Sequence, residues 1–530
     1  MASLLQPFPA LRRGAPRLSR EFFTCRACLR TGTGASVRAA SSAASASALR
    51  SLNSAATARR PVFKSVGKTP FLQAFRSNSS HASSSTTTSP LGSLGKTIGG
   101  AASSTSSKTS SFPETSSKIV AYWLLGSAAS VFGIVIFGGL TRLTESGLSI
   151  TEWRPVTGSL PPMSADDWEA EFTKYKSSPE FALLNSKMDL PEFKKIYYME
   201  WTHRLWGRFV GLSFLLPTIY FIARRRVSRP IARNLVGITL LIGFQGVLGW
   251  WMVKSGLKDD LFAPGSHPRV SQYRLTAHLG AAFLCYVAML WNGLSILREN
   301  KLVADPVNGE KALNTLRLPQ LKFFRRSVGA LACLVFITAM SGALVAGLDA
   351  GLIYNEFPYM GLGLTPPKSE LFSDFYSRKP DGSDIWWRNA LENPSLVQLD
   401  HRVLATTAFT AIVSLWAYSR FSPAVRAALP RNARKGMLGV VHLASLQVVL
   451  GICTLLYLVP THLAATHQAG ALALLTGTVV LGSRVWIPSR AARLVAARLS
   501  RAASSSSSHA PRPTPRGFAA GSVGPIKSTS

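Results

Sequence analysis

Acidic residues are scarce in this chain. Its 530 residues carry 25 Asp and Glu against 59 Lys and Arg, a formal net charge of +34. A surplus of that size can neutralise nucleic-acid phosphates. Its distribution excludes that reading, because the basic residues sit in two polar tails and in short connections between apolar stretches. Those are the places where targeting and membrane topology use positive charge. Cysteine is scarce as well. Five residues (Cys25, Cys28, Cys285, Cys333, Cys453) make no disulfide framework, and the Cys25–Cys28 pair has no second pair to complete a zinc site. The other three fall inside apolar stretches, where Cys acts as a small hydrophobe.

What is present divides into unlike regions. Residues 1–117 are rich in Ser, Ala, Thr and Arg, with Glu21 and Glu114 as their acids. Arg12, Arg13, Arg17, Arg20, Arg26, Arg30 and Arg38 recur in the composition of a mitochondrial transit peptide. The Ser/Thr-rich run from Ser77 to Ser117 is too polar to build a core and reads as linker. Residues 487–530 turn basic and then Ser/Pro-rich, and are expected to be a disordered tail on the matrix side.

Between the tails, eight apolar stretches are long enough to cross a bilayer: approximately 119–140, 201–223, 232–253, 274–296, 327–347, 397–418, 437–459 and 461–485. The chain is thus expected to be an all-α integral membrane protein. Basic connections follow the second, fourth, sixth and eighth stretches, and mixed or acidic ones follow the first and third. By the positive-inside rule both termini face the basic side, the matrix of a mitochondrion. The two halves match in order: "GFQGVLG" (243–249) and "SLQVVLG" (445–451), "THR" (202–204) and "DHR" (400–402), "TAHLGA" (276–281) and "ATHQAGA" (465–471). Glu145, Gly147, Leu148 and Glu152 match Asp349, Gly351, Leu352 and Glu356 at a constant offset. The expected architecture is two tandem pseudo-symmetric four-helix bundles, 118–297 and 327–486, joined by a matrix linker over 298–326.

Histidines carry the chemistry. His203, His278, His401 and His467 open the second, fourth, sixth and eighth stretches, which all start on the same membrane side. Four rings at one depth, two per half, suit the axial ligation of haem iron between facing helices. A zinc site would need further Cys or carboxylate ligands at close spacing. His442 is expected to make a packing hydrogen bond, and His462 to meet the headgroup layer. Glu200 lies three residues before His203, on the same helical face. There it can accept a proton, orient water or steady positive charge, or else form a surface salt bridge with Arg204 or Arg142. The second half, aligned on Val397, has no acid at that place. Two similar pockets, one with an acid, suggest one reactive site and one electron-storing site. Arg204 and Arg402 are candidates for haem propionates, and Gln245 and Gln447 for interhelical hydrogen bonds.

These residues resemble the mitochondrial haem A synthase family over roughly 118–486. The resemblance rests on "FGGLTRLTESGLSITEWRPVTGSLPP" (137–162), "EWTHRLWGR" (200–208), "GFQGVLGWWMV" (243–253), "LTAHL" (275–279), "VAGLDAGLIYNEFP" (345–358), "LDHR" (399–402) and "ATHQ" (465–468). It implies oxidation of the C8 methyl group of haem O to a formyl group, giving haem A for cytochrome c oxidase. It further implies substrate haem on His203 and His278, a resident haem b on His401 and His467, and Glu200 as the catalytic glutamate. A ferredoxin-type electron donor in the matrix is implied too, with haem O synthase and oxidase assembly factors as further partners and homo-oligomerisation left open. Residues 141–200 hold no Cys, so the cysteine pair of many bacterial relatives has no equivalent in that loop. The rival expectations are a non-catalytic di-haem cytochrome and a repeat-built transporter. The first would lack the need for Glu200, and the second would place its polar groups at mid-membrane.

Overall fold

The computed structural model describes residues 112–263 and 268–508. Helix dominates it, and the described residues contain no β-sheet, only an isolated bridge between Met360 and Gly363. The long helices are α1 (Lys118–Leu143), α4 (Leu190–Ala223), α5 (Arg229–Gly256), α6 (Gln272–Ala304), α8 (Gln320–Gly347), α11 (Pro394–Phe421), α13 (Arg431–Leu456) and α14 (Thr461–Val485). Between them lie α2 (Ala165–Lys176), α3 (Pro179–Leu183), α7 (Pro306–Arg317), α9 (Lys368–Leu371), α10 (Ile385–Glu392) and α12 (Pro423–Ala428), with α15 (Ser489–Ser508) at the end.

Local chemistry sets the starts. Ser117 caps α1 through its hydroxyl, Ser164 and Asp167 form a reciprocal capping box on α2, and Asp189 accepts from Glu192 N–H at the head of α4. Pro191, Pro230 and Pro394 sit in first turns, where their missing N–H costs nothing. Seven of the described helices are long and apolar enough to cross a membrane. The 28-residue α11 falls outside that set, since Asp400, His401, Arg402, Thr406, Thr407 and Thr410 lower its hydropathy. Phe209, Leu212, Leu216 and Ile219 on α4, and Leu240, Phe244 and Val247 on α5, are exposed apolar rows of the kind that hydrocarbon covers.

Contacts close two rings of four. In the first, α1 packs on α4, α4 on α5, α5 on α6 and α6 on α1; in the second, α8 packs on α11, α11 on α13, α13 on α14 and α14 on α8. The rings meet where α1 touches α14 and α6 touches α8. After α1 and after α8 the chain leaves the helix through a left-handed non-glycine residue, Glu145 (φ 51°) and Asp349 (φ 49°). Arg269 pairs with both of these acids, and Arg142 bonds Asp349 at 3.1 Å, stitching the rings together at that end.

The regions outside the rings differ from expectation in three places. Residues 489–508 of the supposed disordered tail form α15, whose Ala491 and Val495 are buried against Leu302, Val303 and Leu313, while Arg490 pairs with Glu299 at 2.7 Å. The Ala, Arg and Leu content favours helix, and small apolar residues four apart make a stripe that can dock. Much of the supposed 298–326 linker is helix too, the end of α6 and all of α7. Residues 112–117, the end of the polar run, pack rather than trail: Ser117 N–H donates to Arg226 O, and Asn300 donates to Ser116 O. The rest of the expected targeting segment, with Cys25, Cys28 and His81, lies outside the described residues, as do His267 and His509.

Candidate haem-binding site

Each of the four helix-opening histidines lies against a glycine of the preceding long helix in its ring. A Cβ added at Gly138 of α1 would stand 2.8 Å from His203 Cε1. At Gly342 of α8 it would stand 3.0 Å from His401 Cε1, and at Gly451 of α13 it would stand 2.9 Å from His467 Cε1. At Gly249 of α5 the distance to His278 Cε1 is 3.5 Å. Glycine at these positions is therefore a matter of space for imidazole, not of backbone freedom. The "FQGVLG" and "LQVVLG" glutamines complete the arrangement. Gln245 donates to His278 O at 3.2 Å and Gln447 to His467 O at 2.8 Å, so each ties a histidine-bearing helix to its neighbour.

The rings suit an iron porphyrin. His401 and His467 face each other with centroids 6.5 Å apart and planes at 87°. Metal–imidazole bonds of ~2 Å on either side of one ion place ring centroids roughly 6 Å apart, so the gap fits a flat macrocycle held from both sides. The Nδ1 atoms of His203, His278 and His467 are buried without hydrogen-bond partners, and His401 Nδ1 is 2.8 Å from Ser341 Oγ. With Nδ1 turned into protein, Nε2 is the nitrogen available to iron, and Ser341 supplies an orienting contact of the kind metal-bound histidines use. His203 also stacks beside Phe137, 6.5 Å between centroids and 7° between planes. Among the described residues no three His, Cys, Asp or Glu side chains converge as a metal-ion cage.

Glu200 is 3% exposed and held from all sides. Its Oε2 accepts from Ser149 Oγ at 2.7 Å and from Ile150 N–H at 2.8 Å, and its Oε1 accepts from Arg204 Nε at 3.0 Å and Nη2 at 2.5 Å. The ion pair with Arg204 exists, then, but buried rather than at the surface. Arg204 further donates to the carbonyls of Ile150 and Glu152. Arg402 does the same at the second site, donating to the carbonyls of Tyr354, Glu356 and Tyr359. Both arginines thus staple the loop that follows the ring's first helix, and a propionate would have to share their donors. Alignment on the histidines puts Gln398, not Val397, opposite Glu200. Gln398 is 2% exposed and donates to Tyr354 O at 2.9 Å. The asymmetry expected between the halves is a Glu/Gln difference on otherwise matching frames.

Some residues were out of reach of sequence reasoning. Ser149 and the four glycines bear on the site only through contacts across helices, and of these only Gly249 and Gly451 recur in the matched motifs. Glu180, 4% exposed, was hidden in an unremarkable loop. His442 points to the exposed outer surface of α13 instead of packing, and His462 is exposed at the start of α14. Gln468, next to His467, crosses between rings and donates to Val135 O of α1 at 2.9 Å, its amide lying over Gly139.

Comparisons with known proteins agree with this geometry. The family model described as "Cytochrome oxidase assembly protein" matches residues 121–479. The chain is 53% identical over 373 residues to "Heme A synthase COX15" of Saccharomyces cerevisiae, covering 70% of this chain and 76% of that protein. It is 47% identical over 366 residues to the human protein of the same name, covering 69% and 82%. It is 51% identical over 373 residues to the "Heme A synthase-mitochondrial ferredoxin fusion protein" of Schizosaccharomyces pombe, covering 70% and 60%. With the match spanning both rings and all four histidines, the chain belongs to the cytochrome oxidase assembly family that includes the haem A synthases.

Proposed function

We propose that the protein is a haem A synthase, an oxidoreductase that converts the C8 methyl group of haem O into the formyl group of haem A for cytochrome c oxidase. One observation carries the reading: two glycine-backed histidine pairs sit in matching rings, and a buried carboxylate accompanies only one of them. His203 and His278 hold the substrate haem, and His401 and His467 hold a resident haem b. When bound, haem supplies the one-electron chemistry that no side chain offers.

The protein's part is to hold and orient. The glycines set how closely each imidazole approaches its neighbouring helix, and the glutamines hold the histidine-bearing helices in register. Glu200, fixed by Arg204, Ser149 and the Ile150 amide, presents a carboxylate of fixed orientation near the substrate site. A carboxylate so held can accept a proton or steady positive charge developing at the substrate carbon. Gln398 at the matching place has neither capacity, which suits a site that only stores an electron. Arg204 and Arg402 hold the loops over both sites, with propionates as secondary partners.

The same reading takes α11 as an eighth span and the two rings as pseudo-symmetric bundles in the inner mitochondrial membrane, with both termini in the matrix. The fused ferredoxin of the Schizosaccharomyces pombe relative supports a ferredoxin-type donor there. Haem O synthase, oxidase assembly factors and a second copy of the chain are further candidate partners. The test is pigment extraction from the purified protein. Haem O or A together with haem b is expected; haem b alone, with no conversion of added haem O, would make the protein a plain di-haem cytochrome. Glu200→Ala should retain both haems and form no haem A.

A further inference from the structure

Glu180 has no part in the reading so far, yet its state calls for one. It lies in α3, is 4% exposed, and its Oε2 is buried with no hydrogen-bond partner. Burying a carboxylate without partners is expensive, so such a group gives up its charge or sits where charge is useful. The charged groups around it are Arg142 and Glu145 at the end of α1, Glu200 of α4 and Arg269 ahead of α6, with Tyr175 of α2 beside them. The turn Asp259–Phe262, which packs on α3, adds Asp259 and Asp260, both exposed. The two arginines are committed elsewhere. Arg142 pairs with Asp349, and Arg269 with Glu145 and Asp349. The Nε atoms of both are themselves buried and unpartnered.

Position links this group to the reactive site. Phe181, the next residue, packs in the aromatic cluster that contains Ile150, Ile196 and Tyr197. Ile150 donates its N–H to Glu200, and Ile196 O accepts from the same Ser149 hydroxyl that contacts Glu200. Burial first, and repulsion from Glu200 and Glu145 next, push the Glu180 carboxyl up to about 8. It therefore carries a proton at neutral pH and lies close to releasing it.

On the reading of the chain as a methyl-oxidising enzyme, we infer that Glu180 is a proton-exchange group that passes protons between the Glu200 network and the aqueous face, through the polar seam of Arg142 and Arg269. Each transfer is a plain acid–base step. A carboxylic acid becomes a carboxylate or the reverse, with one proton delivered to one side and taken from the other, and no oxidant is needed. Unpartnered polar atoms grouped in one buried place are sites that bridging water satisfies, which gives the proton its route.

The test uses the full chain in lipid nanodiscs and has two readouts. Infrared difference spectra of the haem-free protein, stepped from about pH 6 to about pH 10, should show a protonated-carboxyl band that fades around pH 8 and is missing in Glu180→Gln. In haem-loaded protein, Glu180→Gln should form haem A roughly a hundredfold more slowly, at the low end of what proton-transfer groups contribute, with unchanged haem content. Glu180→Asp should fall between. A band that persists in Glu180→Gln, or native turnover at every pH, overturns the inference. So does a parallel loss of haem and thermal stability in both variants, which would make the residue structural. If the native protein makes no haem A at all, the enzyme reading fails instead, and the infrared result still decides whether Glu180 titrates.

Discussion

The four glycines beside the histidines make a graded series for substitution by alanine. Carbon–carbon contacts are comfortable at about 3.5–4.0 Å. A Cβ at Gly138, Gly451 or Gly342 would meet imidazole at 2.8, 2.9 or 3.0 Å, whereas at Gly249 it would meet His278 at 3.5 Å. The first three therefore fall about 0.5–1 Å short, and the ring or the helix must shift. Overpacking of that size costs about 1–3 kcal/mol, and on the proposed haem ligation it falls mainly on the bound state, where iron would fix the ring. Haem affinity should fall about five- to 150-fold at those sites. The fold should not suffer equally, because alanine in a helix interior is about 0.5–1 kcal/mol better than glycine. The assay is haem b titration into haem-free protein for Gly342→Ala and Gly451→Ala, and haem O titration for Gly138→Ala and Gly249→Ala, with thermal unfolding of each haem-free variant. Weaker binding at unchanged or higher stability is expected for three variants and near-native binding for Gly249→Ala. If Gly451→Ala holds haem as tightly as the native protein, or Gly249→Ala loses as much as Gly138→Ala, the space argument is wrong.

Arg204→Ala leaves Glu200 buried beside an empty place and frees the loop carbonyls of Ile150 and Glu152, so a loss of about 3–5 kcal/mol is expected; equilibrium unfolding in detergent measures it, and a loss below about 1 kcal/mol would remove the staple. Gly139→Ala should displace the Gln468 amide and lower the unfolding temperature, whereas in a Gln468→Ala background the same change should be neutral or stabilising. Glu180 has a folded value of about 8 against 4.5 as an unperturbed carboxyl, so the folded state holds its proton where the unfolded state has lost it. Stability should fall as pH rises from about 4.5 to about 8, and Glu180→Gln should flatten that slope in thermal unfolding curves; an unchanged slope would show that Glu180 does not titrate there. Val495→Asp should detach α15 from Leu302, Val303 and Leu313 and expose it to added protease.

Much of the fold was legible because two strong periodic signals coincide. Apolar runs of membrane length marked the long helices; α14 falls on 461–485 as expected, whereas α6, α8 and α13 run six to eight residues past their apolar stretch at one end. The run before His203 was cut short, since α4 begins at Leu190: its first turns carry Pro191, Glu192, Lys194 and Lys195, which read as loop in a hydropathy profile but cost a helix outside the hydrocarbon nothing. The tail containing α15 departs from expectation for a related reason. Its composition is polar on average, and only the docking of Ala491 and Val495 reveals the apolar stripe.

By itself, the sequence determined the membrane character, the order of the helices and the four histidines with an acid beside one pair, because these follow from local composition and from repetition along the chain. Tertiary structure decided which glycine faces which imidazole, that the buried Gln398 side chain bonds the Tyr354 carbonyl, and that Arg204 spends its donors on Glu200 and on loop carbonyls. It alone set Glu180 within reach of the Glu200 charge and stitched the rings through Arg142, Arg269 and Asp349. Most of those relations join residues distant in the chain, and each depends on a helix rotation or a loop path that hydropathy leaves free and packing settles.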